Sequence, residues 1–186
     1  MAGVAGPSGN GAPVTPPDER AMTRTILGML ALATALALTA VPATGQRDEP
    51  GGRRVRAKAL QGLSFGELLA GVPTTVSRHD PLASGQLEVG GEKITEVLVS
   101  FILPDAMAGP AGSSIPLDFG PGSAGFSITR SIADQVGFDP LVPTIVYLSP
   151  QGRATVFLGG TALPPPDAAA GSYAGEIILT VSYIGN

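Results

Sequence analysis

Glycine and proline punctuate this chain so often that long helices have little room to form. The 186 residues include 26 Gly and 18 Pro. Beyond residue 60 nearly every gap between apolar runs carries one or both: "PDAMAGPAGSS", "FGPGSAG", "FDPLVP", "ALPPPDAAAGS". Gly and Pro there mark turns and loops. What lies between them is strand-sized.

The pattern predicts strand-like segments at 62–71, 74–78, 85–90, 95–103, 114–120, 125–132, 144–149, 154–160 and 175–184. "GQLEVG" alternates strictly, with Leu87 and Val89 on one side and Gln86 and Glu88 on the other. "TEVLVSFIL" is almost continuously apolar and reads as a strand buried on both faces. "GEIILTVSYI" puts Ile177, Leu179, Val181 and Tyr183 on one face, expected to be the inner one. Only "GELLAG" and "SIADQVG" have helical character, one or two turns each. No crossover helix is available to build a parallel sheet. The expected fold class is therefore all-β: a single antiparallel immunoglobulin-like sandwich.

The N-terminal quarter reads differently. Residues 26–41, "ILGMLALATALALTAV", form an uncharged apolar run preceded by Arg20 and Arg24 and followed by "VPATGQ". Basic start, apolar middle and small-residue end make a secretory signal pattern, with cleavage expected before Gln46. The run falls short of the ~20 residues that span a bilayer. The expected organisation is a disordered leader or mis-assigned start at 1–21, a signal peptide at 22–45, a flexible basic stub at 46–58, and a sandwich domain at 59–186. Val55, Ala57 and Ala59 alternate weakly, which favours the end of the stub as the domain's own first strand in a self-completed sandwich. Export places the protein in the periplasm, at the cell surface or outside the cell, with membrane contact only in transit. Cysteine is absent, so packing and hydrogen bonds alone must hold the domain.

Charge separates along the chain. Arg47, Arg53, Arg54, Arg56 and Lys58 against Asp48 and Glu49 give residues 47–58 a net +3. From residue 59 onward four basic and eleven acidic residues give −7. An acidic body argues against nucleic acid as a partner, because phosphate binding needs clustered Lys or Arg. The basic stub suits anionic lipid or an acidic surface, or simply a solvated tail.

No catalytic constellation emerges. His79 is the single histidine, in "SRHDP", and reads as a turn residue. One His without Cys does not make a common zinc site. The carboxylates lack calcium-loop spacing, and no serine sits in a G-x-S-x-G elbow. "GPGSAG" (120–125) lacks the lysine of a phosphate loop. No catalytic, cofactor-binding or metal-binding residue is assigned, no cofactor is expected, and the chain is read as a non-enzyme.

Two motifs carry a family resemblance. "LSFGELLAG" (63–71) and "FLGGTALPPPDAAAGSYAGEIILTVSY" (157–183) resemble the opening and ending of an uncharacterised family of exported bacterial β-sandwich domains. That family is similar to spore coat protein U and, more distantly, to chaperone–usher pilin subunits. Gly171, Tyr173, Gly175, Thr180, Val181 and Tyr183 fall on the positions of the closing motif. "LPPPD" (163–167) interrupts the pattern, and the cysteines usual in coat protein U relatives are missing. The resemblance implies a secreted, structural or surface role, with the protein itself or other envelope proteins as partners. It also implies that another segment can supply the last strand's neighbour. The competing reading is a secreted binding module that recognises carbohydrate or an envelope protein through its loops.

Overall fold

The computed structural model describes the backbone of Leu32–Ala40 and residues 53–184. The leader at 1–21 and the expected cleavage point lie outside the described residues. Fourteen strands follow in order. They are β1 (Leu32–Ala40), β2 (Arg56–Gln61), β3 (Gly66–Leu68), β4 (Thr74–Val76), β5 (Gly85–Gly90), β6 (Glu96–Ile102) and β7 (Ala106–Ala108). Then come β8 (Ser114–Asp118), β9 (Ala124–Ser127), β10 (Val136–Phe138), β11 (Thr144–Tyr147), β12 (Arg153–Leu158), β13 (Gly160–Ala162) and β14 (Tyr173–Tyr183). One 3₁₀ turn, Pro110–Gly112, is the sole helical element among the described residues.

The protein is all-β, two sheets packed as a sandwich. One sheet runs β10-β9-β12-β5-β2. The other is centred on β14, which pairs with β6 and then, farther along, with β7. Beyond β7 follow β8, β13 and β4, while β11 lies outside β6. All these pairings are antiparallel; the single exception among the described residues is β1 against β14.

The core has two lobes. Leu63, Phe65, Leu68, Met107, Ile115, Leu158, Tyr173 and Ile177 form one. Leu87, Val89, Val97, Val99, Val146, Val156, Leu179 and Val181 form the other. β14 serves both, because its period-2 alternation carries one continuous inner row from Tyr173 to Val181. The expected inner face of Ile177, Leu179 and Val181 is buried, and Tyr183 packs at its half-buried end.

Several sequence expectations need correction. "GELLAG" does not form a helical turn: Gly66–Leu68 is β3, and Leu68 is buried while Leu69 faces solvent. "SIADQVG" is a set of bends leading into β10. β6 is buried on one face only. Val97 and Val99 enter the core, but Ile102 is 62% exposed, because no layer covers the outer side of this sheet there. The basic stub is not flexible throughout: Arg56–Lys58 lie within β2, the edge strand beside β5. The stub does supply a strand of the sandwich, as expected. It does not lie beside β14.

Candidate functional site: the strand slot beside β14

Two motif residues fix the geometry around β14. Gly171 adopts φ +149°, which disfavours a side chain, and a Cβ there would come within 2.8 Å of Pro110. The turn it permits delivers Tyr173 into the core at 1% exposure. The Tyr173 hydroxyl donates to the Ala169 carbonyl at 2.7 Å, which satisfies the one polar atom of a buried ring. Gly109 lies beneath that ring, where a Cβ would stand 2.2 Å from Tyr173 Cε1. At the opposite end, the Tyr183 hydroxyl accepts the Glu92 N–H at 2.8 Å and donates to the Arg53 carbonyl. Burial raises the Tyr183 pKa; the bond from the Glu92 backbone pulls the other way. β14 is thus clamped at both ends by its two tyrosines.

One side of β14 is taken by β6 and β7. The other side is a slot between β14 and β3, and β1 fills it. β1 runs parallel to β14 from Thr34↔Tyr173 to Ala40↔Leu179. It runs antiparallel to β3 from Leu32↔Leu68 to Thr34↔Gly66. Ala35 stands opposite Ala174, which also pairs with Ala108; Thr39 stands opposite Ile178, which also pairs with Ile102. β1 therefore lies on the side of β14 away from β6 and β7. β3 has no other strand partner among the described residues.

Register gives the slot a pattern. Thr34, Leu36, Leu38 and Ala40 fall opposite Tyr173, Gly175, Ile177 and Leu179, the inner row of β14. Ala35 and Ala37 fall opposite the exposed Ala174 and Glu176. An occupant needs apolar residues at alternate positions and a backbone able to complete two ladders. The family resemblance implies only that another segment can supply the last strand's neighbour. Sequence reasoning did not place residues 32–40 of the apolar run there, because that run reads as a signal core.

The other residues weighed in the sequence are dispersed. His79 is exposed in the turn closed by Asp80 N–H to the Ser77 carbonyl, with its Nδ1 3.0 Å from the Ile132 carbonyl oxygen. Asp80 accepts the N–H groups of Leu82 and Ala83 and so shapes the turn. Gly120–Ser123 close a tight turn, Ser123 N–H to the Gly120 carbonyl at 3.0 Å. Among the described residues no three His, Asp or Glu side chains gather as metal ligands, and no helix is long and apolar enough to cross a membrane.

No protein-family model matches the chain, and no curated protein matches it in sequence. The resemblance to coat-like and pilin-like domains rests on its motifs alone.

Proposed function

We propose that this is an exported structural or surface protein that joins its partners by strand addition, with the slot beside β14 as the joint. The observation that supports the reading is the identity of the strand now in the slot. It is the apolar part of a segment whose basic start and small-residue end mark it for removal on export. Removal leaves the flank of β14 away from β6 and β7 without a strand from Tyr173 to Leu179, and β3 without a strand pairing, among the described residues. An exposed sheet edge of that length templates pairing with another chain. The partner strand is apolar at alternate residues, and is carried by another envelope protein or a second copy.

The leaderless chain, residues 46–186, tests this with a synthetic peptide of the sequence LATALALTA. The peptide is expected to raise the melting temperature in a concentration-dependent way, as any ligand of the folded state does. A peptide with Leu36 and Leu38 replaced by Asp is expected to have no effect. A leaderless chain that stays monomeric and melts at the same temperature with either peptide contradicts the reading.

A further inference from the structure

The second sheet carries a site that nothing in the strand-addition reading uses. On its outer face the stub's cations meet two arginines from distant parts of the chain. Arg56 of β2 and Arg153 of β12 both pair in register with Gly90 of the intervening β5. Strands ~4.8 Å apart put those two backbones ~10 Å from each other. Gly90 has no side chain to stand between them, and the Arg56 side chain lies along it, with Cγ 3.7 Å from where a Cβ would be. Two residues along, on the same face, Lys58 pairs with Glu88. Arg130 reaches over from the loop after β9 and donates to Glu88.

This concentration of positive charge is unusual for an acidic chain. Among the described residues, Glu88 is the one acid lining either of two adjoining cavities. The smaller, about 230 Å³, is lined by Arg53, Arg56, Lys58 and Arg153 around the glycines. The larger, about 580 Å³, is lined by Arg130, Arg153, Thr129 and Gln151. Arg153 belongs to both. Glu88 holds Arg130 in an ion pair and lies 3.9 Å from Arg153. Arg56 and Lys58 have no ion pair among the described residues. Arg130 takes φ +62°, a conformation that non-glycine residues seldom adopt. Opposite Glu88 on the same outer face, the Thr155 hydroxyl is buried with no hydrogen-bond partner.

We propose that this face binds a linear acidic polysaccharide, with carboxylate or sulfate groups seated in the two cavities. Guanidinium groups form paired hydrogen bonds with planar carboxylates and with other oxyanions. Two basic cavities sharing Arg153 suit anionic groups repeated along one chain better than a single small anion. They are concave, so side chains line the site rather than project into a lipid surface.

The test uses the full chain and immobilised polygalacturonate or dextran sulfate, with neutral dextran as control. Binding to the two acidic polymers separates carboxylate from sulfate as the preferred group. Retention is expected on at least one acidic polymer, absent on neutral dextran, and weakened by salt as exposed charge interactions are. Arg56→Gln with Arg153→Gln is expected to cut affinity about tenfold while leaving the melting temperature within a few degrees. Glu88→Gln, which removes the one competing carboxylate among the described lining residues, is expected to tighten binding. Equal retention on neutral dextran, no retention at low salt, or unchanged affinity in the double variant overturns the proposal. So does tighter binding to phosphatidylglycerol vesicles or duplex DNA than to either polymer. Should the double variant unfold, the Glu88→Gln result decides alone.

Discussion

Leu38 stands opposite Ile177 in a parallel ladder. Ile177 is fully buried in the lobe that also holds Tyr173, Leu63 and Met107. The strand in the slot thus pairs with β14 along its buried inner row, so the slot borders the core rather than a peripheral edge. Whatever occupies it contributes to folding as well as to assembly.

Ile177→Ala is expected to destabilise the chain by about 2–5 kcal/mol, through lost burial and the cavity left behind. Ile178→Ala, half-buried on the outer face of the same strand, is expected to cost clearly less. Chemical denaturation midpoints measure both. Equal costs would mean that β14 is turned over relative to the core.

Gly109→Ala is expected to cost at least about 2 kcal/mol, because the added methyl would stand 2.2 Å from the Tyr173 ring. Gly120→Ala serves as control: no heavy atom lies within 4 Å of a Cβ there, and its φ is not positive. The pair tests whether Tyr173 is fixed by its floor. Thermal melting of both variants checks it.

Tyr183→Phe removes a hydroxyl bonded to Glu92 and Arg53 and is expected to cost about 1 kcal/mol. Truncation after Ser182 also removes the ring; because Tyr183 is only half-buried, the expected loss is about 2–3 kcal/mol, at or below the lower end for aromatics. Truncation after Tyr183 is expected to be nearly neutral. Denaturant midpoints for the three variants order these costs.

The same hydroxyl predicts an alkaline limb. Its pKa is raised in the fold above the ordinary value of about 10. The folded state therefore holds the proton more tightly than the unfolded chain. Its contribution is complete below about pH 10 and fades as pH rises through the folded value. The stability gap between the natural chain and Tyr183→Phe is expected to narrow above that pH. A gap constant through pH 11 would place the hydroxyl in water.

Legibility followed the kind of physics involved. β5 was readable because Leu87 and Val89 alternate strictly with Gln86 and Glu88, and the fold buries the first pair. The inner row of β14 was readable for the same reason. β6 was misjudged because an apolar run does not reveal whether both faces have a covering layer; Ile102 has none. "GELLAG" misled because Leu68 and Leu69 suit a helix, while pairing with β1 sets Gly66–Leu68 as strand. The cationic face was illegible. Arg130 and Arg153 join Arg56 and Lys58 only through the ladders of β2, β5 and β12 and the loop after β9, a relation no local window contains.

Amide hydrogen exchange along β14 in the leaderless chain, residues 46–186, tests the slot most directly. In dilute monomer, the amides of Tyr173–Leu179 that face the slot are expected to exchange rapidly, while those bonded to β6 at Thr180–Tyr183 stay protected. Adding the LATALALTA peptide, or raising concentration until the chains assemble, is expected to slow the exchange at Tyr173–Leu179 alone. Full protection of those amides in dilute monomer, with nothing added, would contradict the account: the sheet would then close on itself, with no place for another strand.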